Sequence, residues 1–121
     1  MIKSIENNSK FNYFTINYES KHLGCFLDKN EIIKINDNGF GGSQISITHF
    51  SKEQINSFLV VIAQAYIFAH KEMKMMIKQE LSPNDLENQK ILIFLIRNVI
   101  EIFSDYLNKY DSEILDSFRK I

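Results

Sequence analysis

The chain has one cysteine, one proline and four glycines in 121 residues. The lone Cys25 excludes an intrachain disulfide and fits a reducing, cytoplasmic setting. The single proline and the spacing of the glycines leave long stretches free of breakers, so long regular elements are expected. A formal net charge of -1 removes the basic footprint of proteins that grip nucleic acid or a membrane surface non-specifically. Charges also balance locally: Lys3, Lys10, Lys21, Lys29 and Lys34 stand against Glu6, Glu19, Asp28, Glu31 and Asp37. No apolar run reaches membrane-spanning length, because 58–69 stops at His70 and 91–96 stops at Arg97. The opening MIKSIENNSK has no hydrophobic stretch of the signal-peptide kind. Arginine occurs only at 97 and 119 while Ile, Lys and Asn abound, the codon bias of an AT-rich genome such as that of a low-GC bacterium or its phage.

What the chain does contain is a change of period. Residues 1–10 are polar and read as a frayed end. FNYFTINY (11–18), HLGCFL (22–27), IIKI (32–35) and QISITHF (44–50) read as four strands separated by turn-forming residues. In the first, Phe14, Ile16 and Tyr18 share one face. In the last, Ile45, Ile47 and His49 alternate with Gln44, Ser46 and Thr48, the pattern of a sheet with one dry and one wet face. After Phe50 the period becomes 3.6. Ser51 and Gln54 form a capping box, and the stripe Ile55, Phe58, Leu59, Ile62, Ala65, Tyr66, Ala69, Met73, Met76 predicts a helix over 52–80. Ser82, Pro83 and Asp85 start a second helix at 83, with the stripe Leu92, Leu95, Ile96, Val99, Phe103, Leu107. Asp111 is a plausible N-cap, so a break or bend is expected there. The expectation is a single α+β domain over 1–121: a four-stranded antiparallel meander (11–50) followed by two long helices (52–121) packed on one face, ββββαα.

The chemistry-bearing residues fall short of any known constellation. GFGG (39–42) leads into a strand rather than a helix N-terminus, so it reads as a hairpin loop and not a phosphate cradle. His22 and Cys25 are three apart on a strand, which sets them on opposite faces, and no second pair completes a metal site. His70 lacks the two-histidine spacing of a zinc protease helix. No metal or cofactor is expected. A small enzyme using His49 or His70 is the last-ranked of three functional readings.

Three surfaces stand out instead. Phe11 and Tyr13 lie in the register opposite to Phe14, on the side of Lys34, Gln44, Ser46 and Thr48, where aromatics can stack on single-stranded bases or anchor a protein. Glu101, Asp105 and Asp116 line an acidic ridge on the second helix, a docking surface for a basic partner. Between Phe58 and Ala69 the first helix is apolar nearly all round, with Gln64 the only polar residue. Val60, Val61, Ile67 and Phe68 extend beyond the sheet-facing stripe and point to a homodimer interface. Met73, Met75 and Met76 suit either core filling or an adaptable binding surface. The leading expectation is a non-catalytic protein-interaction protein, a small inhibitor or immunity-type protein that binds a larger protein. The alternative is single-stranded nucleic-acid binding on the open sheet. The strand-then-helix order resembles that of single-strand-binding coactivator and Whirly-type domains; the resemblance is one of element order, carried by no motif residue, and the neutral charge opposes it.

Overall fold

The computed structural model describes residues 1–36 and 44–119, with side chains through residue 109. Five strands form one antiparallel sheet in chain order: β1 (Ile2–Asn8), β2 (Tyr13–Tyr18), β3 (Lys21–Leu27), β4 (Ile33–Asn36) and β5 (Ile45–Ser46). Two long helices follow, α1 (Lys52–Lys78) and α2 (Pro83–Arg119). The α+β class and the order of sheet then helices are those the sequence implies.

The sheet departs from expectation at both edges. Residues 1–10 are not frayed, because Ile2–Asn8 pairs with β2 as an edge strand. Its alternation is hidden by an irregularity between Ile2 and Ser4, which lets both Ile2 and Ile5 contribute to the core side three residues apart. The second strand begins at Tyr13 rather than Phe11. Ser9–Phe11 is a 3-10 turn closed by Asn12 at φ 56, a left-handed position that asparagine tolerates. At the other edge the expected strand 44–50 shrinks to two residues. Ile47–His49 turns as a 3-10 helix, with the Ser46 side chain accepting from the Thr48 amide. Ile45 pairs with buried Ile35 and so lies on the inward face, although at the sheet edge it is 44% exposed; Ile47 is buried in the following turn, and His49 is exposed. The glycine loop GFGG lies outside the described residues.

Local chemistry accounts for the helix boundaries. The Ser51 hydroxyl accepts from the Gln54 amide at 3.2 Å, and the Gln54 side chain accepts from the Ser51 amide at 2.9 Å. Phe50 meets Phe58 edge-on at 5.0 Å and fixes the entry of α1. The helix ends in a Schellman turn: the Leu81 amide donates to the Met76 carbonyl and the Glu80 amide to the Ile77 carbonyl, with Glu80 at φ 53. Ser82 then caps α2, its hydroxyl accepting from the Asp85 amide at 3.3 Å and donating to the Asp85 carboxylate at 2.8 Å. The backbone of α2 stays helical through Asp111, so no break occurs there.

The core lies between one face of the sheet and the helices. Phe14, Ile16, Leu23, Cys25, Ile33 and Ile35 are buried from the sheet side. They meet Ile55, Phe58, Ile62, Ala65 and Ala69 of α1 and Leu92, Leu95, Ile96, Val99 and Phe103 of α2 in one cluster. The two alanines leave room for α2 to approach, and the Gln89 side chain donates across to the Ala69 carbonyl at 2.9 Å.

Candidate functional site

The end of the helical hairpin and the β1–β2 connection enclose a cleft of about 720 Å³. Its walls come from two distant parts of the chain. Asn7, Asn8, Ser9, Lys10 and Phe11 close one side; Glu72, Met75, Met76, Gln79 and Leu81 of the hairpin end and Asp85, Asn88 and Gln89 of α2 close the other. The size suits a small molecule or a few residues of a peptide.

Three large apolar groups converge on this cleft while open to solvent. Phe11 is 76% exposed, Met75 59% and Leu81 44%. Backbone turns set Phe11 and Leu81 there, while Met75 projects from the last turns of α1. The 3-10 turn lifts Phe11 out of the strand, and the Schellman turn carries Leu81 past the end of α1. The polar lining is built by hydrogen bonds. The Asn7 side-chain amide donates to the Asn88 carbonyl at 3.0 Å and ties the strand to α2. The Asn7 carboxamide oxygen accepts from both the Ser9 amide (3.0 Å) and the Ser9 hydroxyl (2.6 Å), which shapes the 3-10 turn. Burial holds the Glu72 carboxyl above the ordinary carboxylate range. The cleft therefore presents exposed apolar side chains, carboxamides and one partly buried carboxylate.

On the sheet face away from the helices, one residue from each strand falls in register: Asn8, Tyr13, Phe26, Lys34 and Ser46. Tyr13 and Phe26 are half-buried. The Tyr13 ring lies over Gly24, where an added Cβ would come within 2.5 Å of its hydroxyl, so the ring already covers its own strand neighbour. Lys34 faces Asp28 at 4.0 Å. The Asp28 carboxylate also accepts from the Asn30 and Ile32 amides at 2.9 Å. Beside this row, Asn17 links the Ser4 hydroxyl to the Nδ1 of His22. Of the six residues assigned to this face from sequence, Tyr13, Lys34 and Ser46 lie on it. Phe11 belongs to the cleft instead. Gln44 precedes β5, and Thr48 sits in the following 3-10 turn with its hydroxyl 3.0 Å from that of Ser46.

The acidic ridge is less acidic than its sequence. Glu101 is exposed and paired with Arg97 at 3.3 Å; Asp105 is exposed one turn on; the Asp116 side chain lies outside the described residues. The four candidate interface residues of α1 separate into two pairs. Val61 and Phe68 are half-buried against the core, while Val60 is 57% and Ile67 56% exposed. The protein itself thus partly covers two of these four residues.

His49 and His70 do not come together with the cleft; His70 stacks edge-on against Tyr66 at 4.6 Å in mid-α1. Among the described residues no three His, Cys, Asp or Glu side chains gather as metal ligands. Among them, too, no helix is long and apolar enough to cross a membrane. The thiol of Cys25 is fully buried, and desolvation pushes its pKa far above the ordinary thiol value. The cleft escaped sequence reasoning because its halves are more than 60 positions apart. The methionine cluster was the one signal that pointed toward it. Comparison with known proteins gives no relative: no family model, no curated protein and no solved structure matches the chain.

Proposed function

We propose that this chain is a non-catalytic protein-interaction protein, a small inhibitor or immunity-type protein, that binds a larger cytoplasmic protein through the hairpin-end cleft. The observation that carries this reading is the convergence of Phe11, Met75 and Leu81, all exposed, on a cleft lined by side-chain amides. Aromatic and methionine side chains at the centre of a concave, polar-rimmed site are the usual anchors of a protein contact. The partner would insert an apolar side chain between Phe11 and Met75. Gln79 and Asn88 would pair with the flanking main chain. Methionine adapts to the shape it meets, so the fit need not be preformed. A homodimer through Val60 and Ile67 accompanies this reading and leaves the cleft free.

Affinity capture from the native cell tests it, with wild type and the Phe11→Asp and Met75→Glu variants as baits. A protein retained by wild type and lost from both variants is expected. Equal capture by all three would remove the cleft from the account.

A second reading, single-stranded nucleic-acid binding, has the Tyr13–Phe26–Lys34 row in its favour. Filter binding at low salt decides it. The absence of salt-sensitive binding, or binding undiminished by Tyr13→Ala, would eliminate this reading.

A further inference from the structure

Resting on the reading that the chain self-associates, we propose that two copies pair through antiparallel α1 helices, about a two-fold axis at the level of Gln64. The outward stripe of α1 carries Glu53, Val60, Gln64, Ile67, Lys71 and Lys74, all exposed. At 3.6 residues per turn these lie within a narrow arc on the side away from buried Ile62 and Ala69.

The order along this stripe is self-complementary. An acid stands at its N-terminal end, and three bases, Lys71, Lys74 and the equally exposed Lys78, stand at its C-terminal end. Val60 lies one turn before Gln64 and Ile67 about one turn after it. Rotated by a two-fold axis normal to the helix, the stripe meets itself with Val60 against Ile67 of the second copy. The same rotation brings Glu53 against Lys74 of the second copy, and each contact occurs twice. A parallel pairing would set Lys71 and Lys74 against their own counterparts, so charge selects the antiparallel arrangement. Shape agrees with charge. Beside Ile67 runs a shallow groove of about 360 Å³ bounded by Met1, Ile2, Phe68 and Lys71. It is the recess into which Val60 of the second copy fits. A second copy, rather than an unrelated protein, is the occupant because one stripe supplies both halves of the Val60–Ile67 and Glu53–Lys74 contacts.

The register is tested by symmetric cross-linking. Cys25 is fully buried, so the wild type offers no competing thiol. Under mild oxidation Gln64→Cys should give a covalent dimer, whereas Lys90→Cys, exposed on α2, should not. Light scattering at tens of micromolar gives the energetic counterpart. Glu53→Lys and Lys74→Glu should each weaken the dimer several-fold, and the double exchange should restore it. Val60→Asp, at an exposed position that leaves folding intact by circular dichroism, should weaken it more than tenfold. A monomeric wild-type mass would overturn self-association and this inference with it. A dimeric mass with no cross-link at Gln64→Cys, or one indifferent to Val60→Asp, would overturn this register while leaving self-association in place.

Discussion

The side chain of Gln89 donates its amide hydrogen to the main-chain carbonyl of Ala69 at 2.9 Å, and so joins the two helices from inside the core. Gln89 is the only buried polar residue of α2 among the described residues, and it also forms part of the cleft wall. Replacing it with alanine removes the bond and opens a void beside Ala69. A loss of about 1–3 kcal/mol is expected in urea unfolding. A loss below a few tenths would mean that the helices are positioned by their apolar contacts alone.

Tyr13 and Gly24 form a second tight pair. Gly24→Ala sets a methyl group against the Tyr13 hydroxyl and ring, so the ring must shift. The ring tip can swing aside and alanine suits a strand better than glycine, so a net cost below about 1 kcal/mol is expected. In a Tyr13→Ala background the same substitution should cost far less, and a double-mutant cycle measures the difference. Additive effects would show that the ring does not rest on the strand.

Glu80 holds a left-handed backbone conformation with φ 53 in the Schellman turn that ends α1. Glycine adopts this geometry without the Cβ penalty. Glu80→Gly should therefore stabilise the protein by about 0.5–1 kcal/mol, against the usual effect of glycine. Thermal unfolding of the two proteins checks the sign.

Burial raises the pKa of Glu72 above its ordinary value of 4.5. The native state therefore holds this proton more tightly than the unfolded chain does. The resulting stabilisation is fully present below pH 4.5 and is lost as pH rises through the folded-state value. Glu72→Gln, which cannot ionise, should be more stable than wild type at pH 7. The gap should close as the pH is lowered toward the ordinary carboxylate value. A gap that stayed constant across the titration would place its origin elsewhere.

The elements that were legible in the sequence are those specified by local chemistry. The Ser51–Gln54 box and the Ser82 cap fix both helix starts within a few residues; the first box is complete, while at the second the Asp85 carboxylate accepts from the Ser82 hydroxyl. The stripe from Leu92 to Phe103 is buried as its spacing implies. The edge strand Ile2–Asn8 was not legible. It is mostly exposed, and its two isoleucines are set three apart by an irregular pairing rather than two apart. Asp111 has the side chain of an N-cap, yet the surrounding helix continues, because cap propensity is weak beside an unbroken helical register. The candidate site was legible only in fragments. Phe11 looked like the first residue of a strand, and only the left-handed Asn12 that follows it turns it toward the hairpin. The division of Val60 and Ile67 from Val61 and Phe68 required knowing where α2 and β1 lie.

The most direct measurement is a binding titration of the purified captured partner against three forms of this protein. Wild type sets the reference. Phe11→Asp should weaken binding by at least about tenfold, as expected for a central anchor. Tyr13→Ala, on the opposite face of the sheet, should leave affinity within about twofold of wild type. The reverse pattern, with Tyr13→Ala abolishing binding and Phe11→Asp leaving it intact, would contradict the assignment of the cleft as the binding site.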